Sequence, residues 1–214
     1  FVSASNQSLT IADNSSVNLA STDFSISLWV KFSALTNNAA NDYLGVLSKG
    51  SGGAAYAFSI QYRPSVSQLQ VQFYNGGTTY TLWASTFGAL STGVWYHLIV
   101  TYTNSSKATT VSINGTQNSG TSTVAVVDSS YGLSIGRAYY SNTYNSSATI
   151  DAVGLWKRVL TTQEKAKLYR LGHGNEFPFE NVFTESGSGG ATSGGKAVKS
   201  EADIISLGGI SAGG

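Results

Sequence analysis

The sequence has no cysteine and no methionine, and only two prolines. Without cysteine there is neither a disulfide framework nor a thiolate metal site, so stability has to come from a packed core. Charge is scarce as well. Asp, Glu, Lys and Arg make up 11% of the 214 residues, against about 25% in ordinary soluble domains. The formal net charge is +1 with no basic block, and Lys165, Lys167 and Arg170 read as one solvated helix face. Phosphate recognition needs clustered cations, so no nucleic-acid partner is expected. No apolar run approaches the roughly 20 residues that span a bilayer, so no membrane insertion is expected either. Phe1, not Met, opens the chain, and a processed or excised segment is expected.

What remains is apolar residues at 41% and a surface built from Ser, Thr, Asn, Gln and Gly. A neutral hydroxyl- and amide-rich surface suits an extracellular, cell-surface or virion protein. Period-2 alternation dominates to about residue 156. Phe24, Ile26, Leu28, Val30 and Phe32 alternate with Ser25, Ser27, Trp29 and Lys31, as in a half-buried strand. Leu69, Val71 and Phe73 lead through Asn75-Gly76-Gly77 to a return strand with Tyr80, Leu82 and Ala84. Val94, Tyr96, Leu98, Val100 and Tyr102 make the clearest long strand. Val111 to Ile113 runs into Asn114-Gly115, a strong hairpin signal because both residues tolerate positive φ. Residues 133–136 and 150–156 close the set. Many short strands joined by small polar turns predict an all-β, two-sheet antiparallel sandwich.

One helix is expected over 162–171, opened by the capping-box spacing of Thr161 and Glu164 and stopped by Gly172. From Glu185 onward, Ser-Gly-rich stretches have linker composition. The expected boundary lies near residue 182, with a sandwich over 1–182 and a Gly/Ser-rich tail over 183–214 that serves as an assembly or docking segment.

Six segments occur in an order that resembles the laminin-G-like, concanavalin A-type lectin/glucanase jelly rolls, in particular their bacterial and phage branch. They are residues 1–32, the VLSKG at 46–50, the TGVWYHLIVTYT at 92–103, VSINGT at 111–116, LSIGRA at 133–138, and 150–172. The resemblance covers roughly residues 1–176 and implies two curved antiparallel sheets. It does not fix function, because this fold hosts lectins, hydrolases, adhesion modules and structural decorations.

Catalysis is not expected. Glycoside hydrolysis needs two carboxylates facing one groove, yet the first glutamate is Glu164, and Asp13, Asp23, Asp42, Asp128 and Asp151 are scattered. The Glu-x-Asp-x-x-Glu strand of the related glucanases is absent. Of the two histidines, His97 falls where the family has a structural histidine, and His173 follows the helix in a Gly-rich turn. A zinc site would need three or four ligands that these residues do not supply.

Binding is the better expectation. Arg137, Tyr139, Tyr140, Asn142 and Tyr144 form a Tyr/Asn-rich loop of the kind that makes adaptable contacts, and Tyr74 and Trp83 stand off the alternating apolar set where they could line a sheet face. The ordinary alternative is that these aromatics fold back on the sandwich. The resemblance also implies a structural calcium, for which Asp151 and Asp23 are the candidate ligands. The expected protein is a non-catalytic recognition module for a glycan or surface protein. The alternative is a virion or surface-layer protein, a homo-oligomer or larger assembly whose tail docks on neighbouring subunits.

Overall fold

The structure is a computed structural model that describes residues 1–37, 42–51, 55–84, 87–138, 144–172 and 204–206. Its strands are β1 (Leu9–Ile11), β2 (Phe24–Phe32), β3 (Leu44–Ser51), β4 (Ala55–Arg63), β5 (Gln68–Asn75), β6 (Thr78–Ala84), β7 (Trp95–Thr103), β8 (Ala108–Ile113), β9 (Thr116–Thr121), β10 (Leu133–Ile135) and β11 (Ala148–Trp156). Helix α1 (Thr162–Tyr169) follows, and a last strand, β12, spans Ile204–Ser206.

Two six-stranded antiparallel sheets form. The first runs β1-β10-β3-β4-β5-β6 and the second β12-β11-β2-β7-β8-β9, which is the expected jelly-roll sandwich. Alternation decides what lies between them: Phe24, Ile26, Leu28, Val30 and Phe32 of β2 are at most 1% exposed, as are Phe58, Ile60, Tyr62, Leu69, Val71 and Phe73 from the facing sheet. Phe24 joins the two layers through Phe73, edge-on at 6.2 Å, and stacks at 5.2 Å on Tyr102, its register partner in the same sheet. Burying each such side chain contributes about 1.5–3 kcal/mol.

Sequence expectations meet two boundary corrections. Val94 precedes the long strand and is exposed, so β7 begins at Trp95. Helix α1 ends at Tyr169, because Arg170 already adopts the left-handed conformation at φ 43°. Asn114 and Gly115 turn the β8–β9 hairpin with φ of 49° and 84°, as their spacing predicts. The capping box is complete. Thr161 Oγ1 accepts from Glu164 N at 3.2 Å, and Glu164 Oε2 accepts from Thr161 N at 2.9 Å.

The outer face of the second sheet is covered in part by α1. Trp29, His97 and Tyr169 stack there, with Trp29–His97 ring centres 4.8 Å apart and His97–Tyr169 5.8 Å apart. His97 is therefore structural packing on this face, which agrees with its family position.

Candidate functional site

The first sheet carries a row of polar residues straight across six strands. Register pairs Thr10 with Ser134, Ser134 with Ser48, Ser48 with Ser59, Ser59 with Gln72, and Gln72 with Thr81. These residues occupy the strand positions between the core residues, so strict alternation puts all of them on the outer face. Gln61 Nε2 donates to Gln70 Oε1 at 3.0 Å and to Gln72 Oε1 at 3.1 Å, and Gln72 Nε2 donates to Thr81 Oγ1 at 3.1 Å. Ser59 Oγ and Gln70 Nε2 are buried without a hydrogen-bonding partner among the described residues. Buried polar atoms of this kind take a water or a ligand hydroxyl.

Two residues further along β5, the sheet opens into a cleft of about 270 Å³ whose lining includes Tyr56, Tyr74, Gly76, Asp128, Ser129 and Tyr131. Three segments build it: the start of β4, the β5–β6 hairpin, and the loop before β10. The Tyr56 and Tyr74 rings lie 5.2 Å apart, tilted by 37°, and Tyr131 is 41% exposed at the rim. Gly76 turns the hairpin at φ 56°, and a Cβ added there would meet nothing within 4 Å. Its conformation, not crowding, is what favours glycine.

Beneath the cleft lies Lys49, a lysine with no exposed side-chain surface. Its Nζ donates to Asp13 Oδ1 at 2.6 Å, to Tyr131 O at 3.0 Å and to Ser129 O, and forms an ion pair with Asp128 Oδ1 at 3.1 Å. A buried ammonium is tolerated only when paired and fully hydrogen-bonded, and four oxygens meet that condition here. Asp128 is fixed further by Asn18 Nδ2 at 2.6 Å and by Ser129 N at 2.8 Å. One buried cation thus ties the N-terminal segment, β3 and the cleft loop together.

The residues expected from sequence divide around this site. Tyr74 lines the cleft. Trp83 is the register partner of Gln70 between β5 and β6. Arg137 is buried, with Nη2 3.1 Å from Thr10 Oγ1 and Nε 3.3 Å from Ser134 Oγ, so its guanidinium braces one end of the polar row. Tyr144 is half-buried, edge-on to Tyr43 at 5.7 Å, and its carbonyl accepts from both Gly45 N and Ala138 N at 3.1 Å. Tyr139, Tyr140 and Asn142 lie outside the described residues, as does His173. At the far end of β4, Arg63 sits over the Tyr43 ring at 4.7 Å and donates to Asp42 at 2.9 Å. Burial pushes the Asp42 carboxyl up, but hydrogen bonds from Ser65 and the Arg63 charge outweigh it and hold the group below the usual carboxylate range.

The two aspartates expected to share a calcium are not brought together. Asp151 pairs with Trp29, whereas Asp23 precedes Phe24 at the start of the same β2, about 20 Å of strand away. Asp151 Oδ1 accepts from Ala152 N at 2.7 Å where β11 bulges, and Asp23 Oδ1 accepts from Asn104 N at 2.8 Å. The pair does not fit one ion. Among the described residues, no three His, Asp or Glu side chains form a group able to hold a metal.

Tyr56, Tyr131, Asp128 and Lys49 escaped the sequence reading. They come from distant segments, and Lys49 reads as an ordinary solvent-facing strand residue.

Among solved structures the fold recurs widely. The binding domain of Paraclostridial Mosquitocidal Protein 1 matches with a TM-score of 0.62 and 19% identity, over 79% of this chain and 42% of that one. The chain thus spans well under half of that relative. Domain 4 of an extracellular arabinanase from Geobacillus stearothermophilus, solved with arabinotriose, matches at 0.55 and 21% identity over 75% and 71%. A heptameric SAP-like pentraxin from Limulus polyphemus matches at 0.52 and 12% identity over 75% and 80%. These likenesses establish the fold. No curated protein matches the sequence. The family model for the concanavalin A-like lectin/glucanases superfamily, of laminin-G type, matches residues 3–164, and the chain belongs to that superfamily.

Proposed function

We propose that this protein is a non-catalytic recognition module that binds a glycan in the tyrosine cleft. The observation that carries this reading is the cleft itself, lined by Tyr56, Tyr74, Tyr131 and Asp128 beside a polar row of hydroxyls and amides. Tyrosine faces pack on the apolar side of a pyranose while the ring's hydroxyls bond carboxylate, amide and hydroxyl groups. The similar folds of a toxin binding domain and of an arabinanase domain solved with arabinotriose support the reading. Asp128 is the one carboxylate among the described lining residues of the cleft, and it and Asp13 are both bound to the Lys49 ammonium. They do not flank an open space where a glycosidic bond would lie.

The test is a glycan array probed with the full chain, with calcium and with chelator, followed by calorimetry on Tyr74→Ala and Tyr131→Ala. Binding weakened roughly tenfold or more in both variants, at unchanged melting temperature, supports the site. A blank array under both conditions removes the glycan reading.

A second reading, a structural role on a virion or surface layer, draws on β12. That strand pairs Ile204, Ile205 and Ser206 with Trp156, Leu155 and Gly154 at the edge of the second sheet. The same pairing between chains would link subunits through the tail. Light scattering on the full chain and on a chain ending at residue 182 distinguishes the two, since equal monomer masses at high concentration end the assembly idea.

A further inference from the structure

The charge distribution around the cleft separates classes of glycan, and this inference rests on the glycan reading above. Two carboxylates, Asp13 and Asp128, keep a third or more of their side-chain surface exposed, at 33% and 41%. The lone ammonium that faces them, Lys49 Nζ, is fully buried and already engages four oxygens with its three N–H groups. None of the residues that line the cleft carries a positive charge. One negative charge is therefore left over in this group of three, and among the described residues no cation lines the cleft to receive an acidic ligand. Tyr74 is half-buried with its ring 5.2 Å from that of the buried Tyr56, and Tyr131 stands exposed at the rim. Tyrosine faces attract an ammonium through the ring quadrupole, most strongly where water is displaced.

We infer that the cleft selects glycans carrying a free amine, with the sugar ammonium set among the tyrosines and against Asp128, and rejects acidic glycans. An N-acetylated sugar loses both attractions, because acetylation removes the charge. A uronic or sialic acid would place a carboxylate against Asp128 with no cation between them. That is a like-charge contact, of the kind that disfavours wrong partners.

The experiment is calorimetry on the full chain with three probes at about pH 6, where a sugar amine is protonated. They are a glucosamine tetramer with free amines, its fully N-acetylated counterpart, and a glucuronate-containing tetrasaccharide. The free-amine tetramer is expected to bind roughly tenfold tighter than the acetylated one, with no binding of the acidic probe. Asp128→Asn is expected to shrink that preference to about twofold or less. The ranking measured on the wild-type chain decides the matter even if the variant folds poorly, and Tyr131→Ala, altered at the exposed rim, tests the aromatic half separately. Equal or tighter binding of the acetylated tetramer, or binding of the acidic probe, overturns the inference and leaves the glycan reading standing. Silence from all three probes also overturns it. A blank glycan array in addition would take the glycan reading down as well.

Discussion

The imidazole of His97 lies face to face with the indole of Trp29, ring centres 4.8 Å apart, while its Nε2 is 2.8 Å from Ser27 Oγ. Both side chains are at most 9% exposed. The ring is shielded on the outer face of the second sheet, beneath Tyr169, and burial pushes its pKa down from 6.5 to about 4. A histidine in this setting acts as a flat, neutral packing element.

The shift makes stability depend on pH with a definite sign. In the folded state His97 stays neutral down to about 4, whereas in the unfolded chain it protonates near 6.5. Between those values the unfolded state binds more protons, so stability is fully present above about pH 6.5 and falls as the pH drops towards 4. The loss approaches about 3 kcal/mol for the full shift. Chemical denaturation from pH 7 to 4 should show this slope, and His97→Gln should flatten it. An equal slope in that variant would assign the effect to other groups.

Lys49→Met should be among the most damaging single changes in the chain. It leaves Asp13, Asp128 and two carbonyls facing one another without their cation, and breaking a buried pair in this way costs about 3–5 kcal/mol. Adding Asp13→Asn and Asp128→Asn should recover part of the loss. A melting temperature within a degree or so of wild type for Lys49→Met would refute the assigned role.

Gly45→Ala tests a close backbone approach. A Cβ there would fall 2.0 Å from Ala138 N and 2.4 Å from Tyr144 O, against backbone that cannot swing aside. The cost should reach several kcal/mol, and circular dichroism melts will read it. A mild effect would mean that the loop base around Ala138 and Tyr144 is free to move.

The helix cap gives a smaller, cleaner number. Hydrogen bonds from Arg158, at 2.7 and 2.8 Å, together with those from Thr161, pull Glu164 down to about 2. Its contribution is thus present above about pH 4.5 and lost as the pH falls towards 2. Thr161→Ala should cost about 1 kcal/mol at neutral pH, measured by urea denaturation.

The fold was legible wherever the signal is local. Alternation in β2, β5 and β6, the Asn114-Gly115 turn and the Thr161–Glu164 cap all involve residues within a few positions of one another, and each appears as expected. Strand β4 was harder to see, since Ala55 to Arg63 mixes core Phe58, Ile60 and Tyr62 with polar Ser59 and Gln61 and follows a Gly-rich stretch. The cleft was legible only at Tyr74. Lys49, Asp13 and Asp128 meet because β3 lies beside β10 and the segments flanking that pairing converge, which is a property of topology that no periodicity records. The same limit applies to Arg137. Its contacts with Thr10 and Ser134 join segments far apart in sequence.

The separation between a buried ionic floor and an exposed rim sets how this protein can diversify. The side chains of Ser130 and Tyr131 are exposed at the rim and can be exchanged singly, whereas Lys49 and its oxygens, the Tyr131 carbonyl among them, are shared by three segments at once. New specificities are therefore accessible through rim substitutions at little cost to folding. A change in the floor alters architecture and recognition together, so variants selected for new ligands should accumulate around the ammonium and leave it in place.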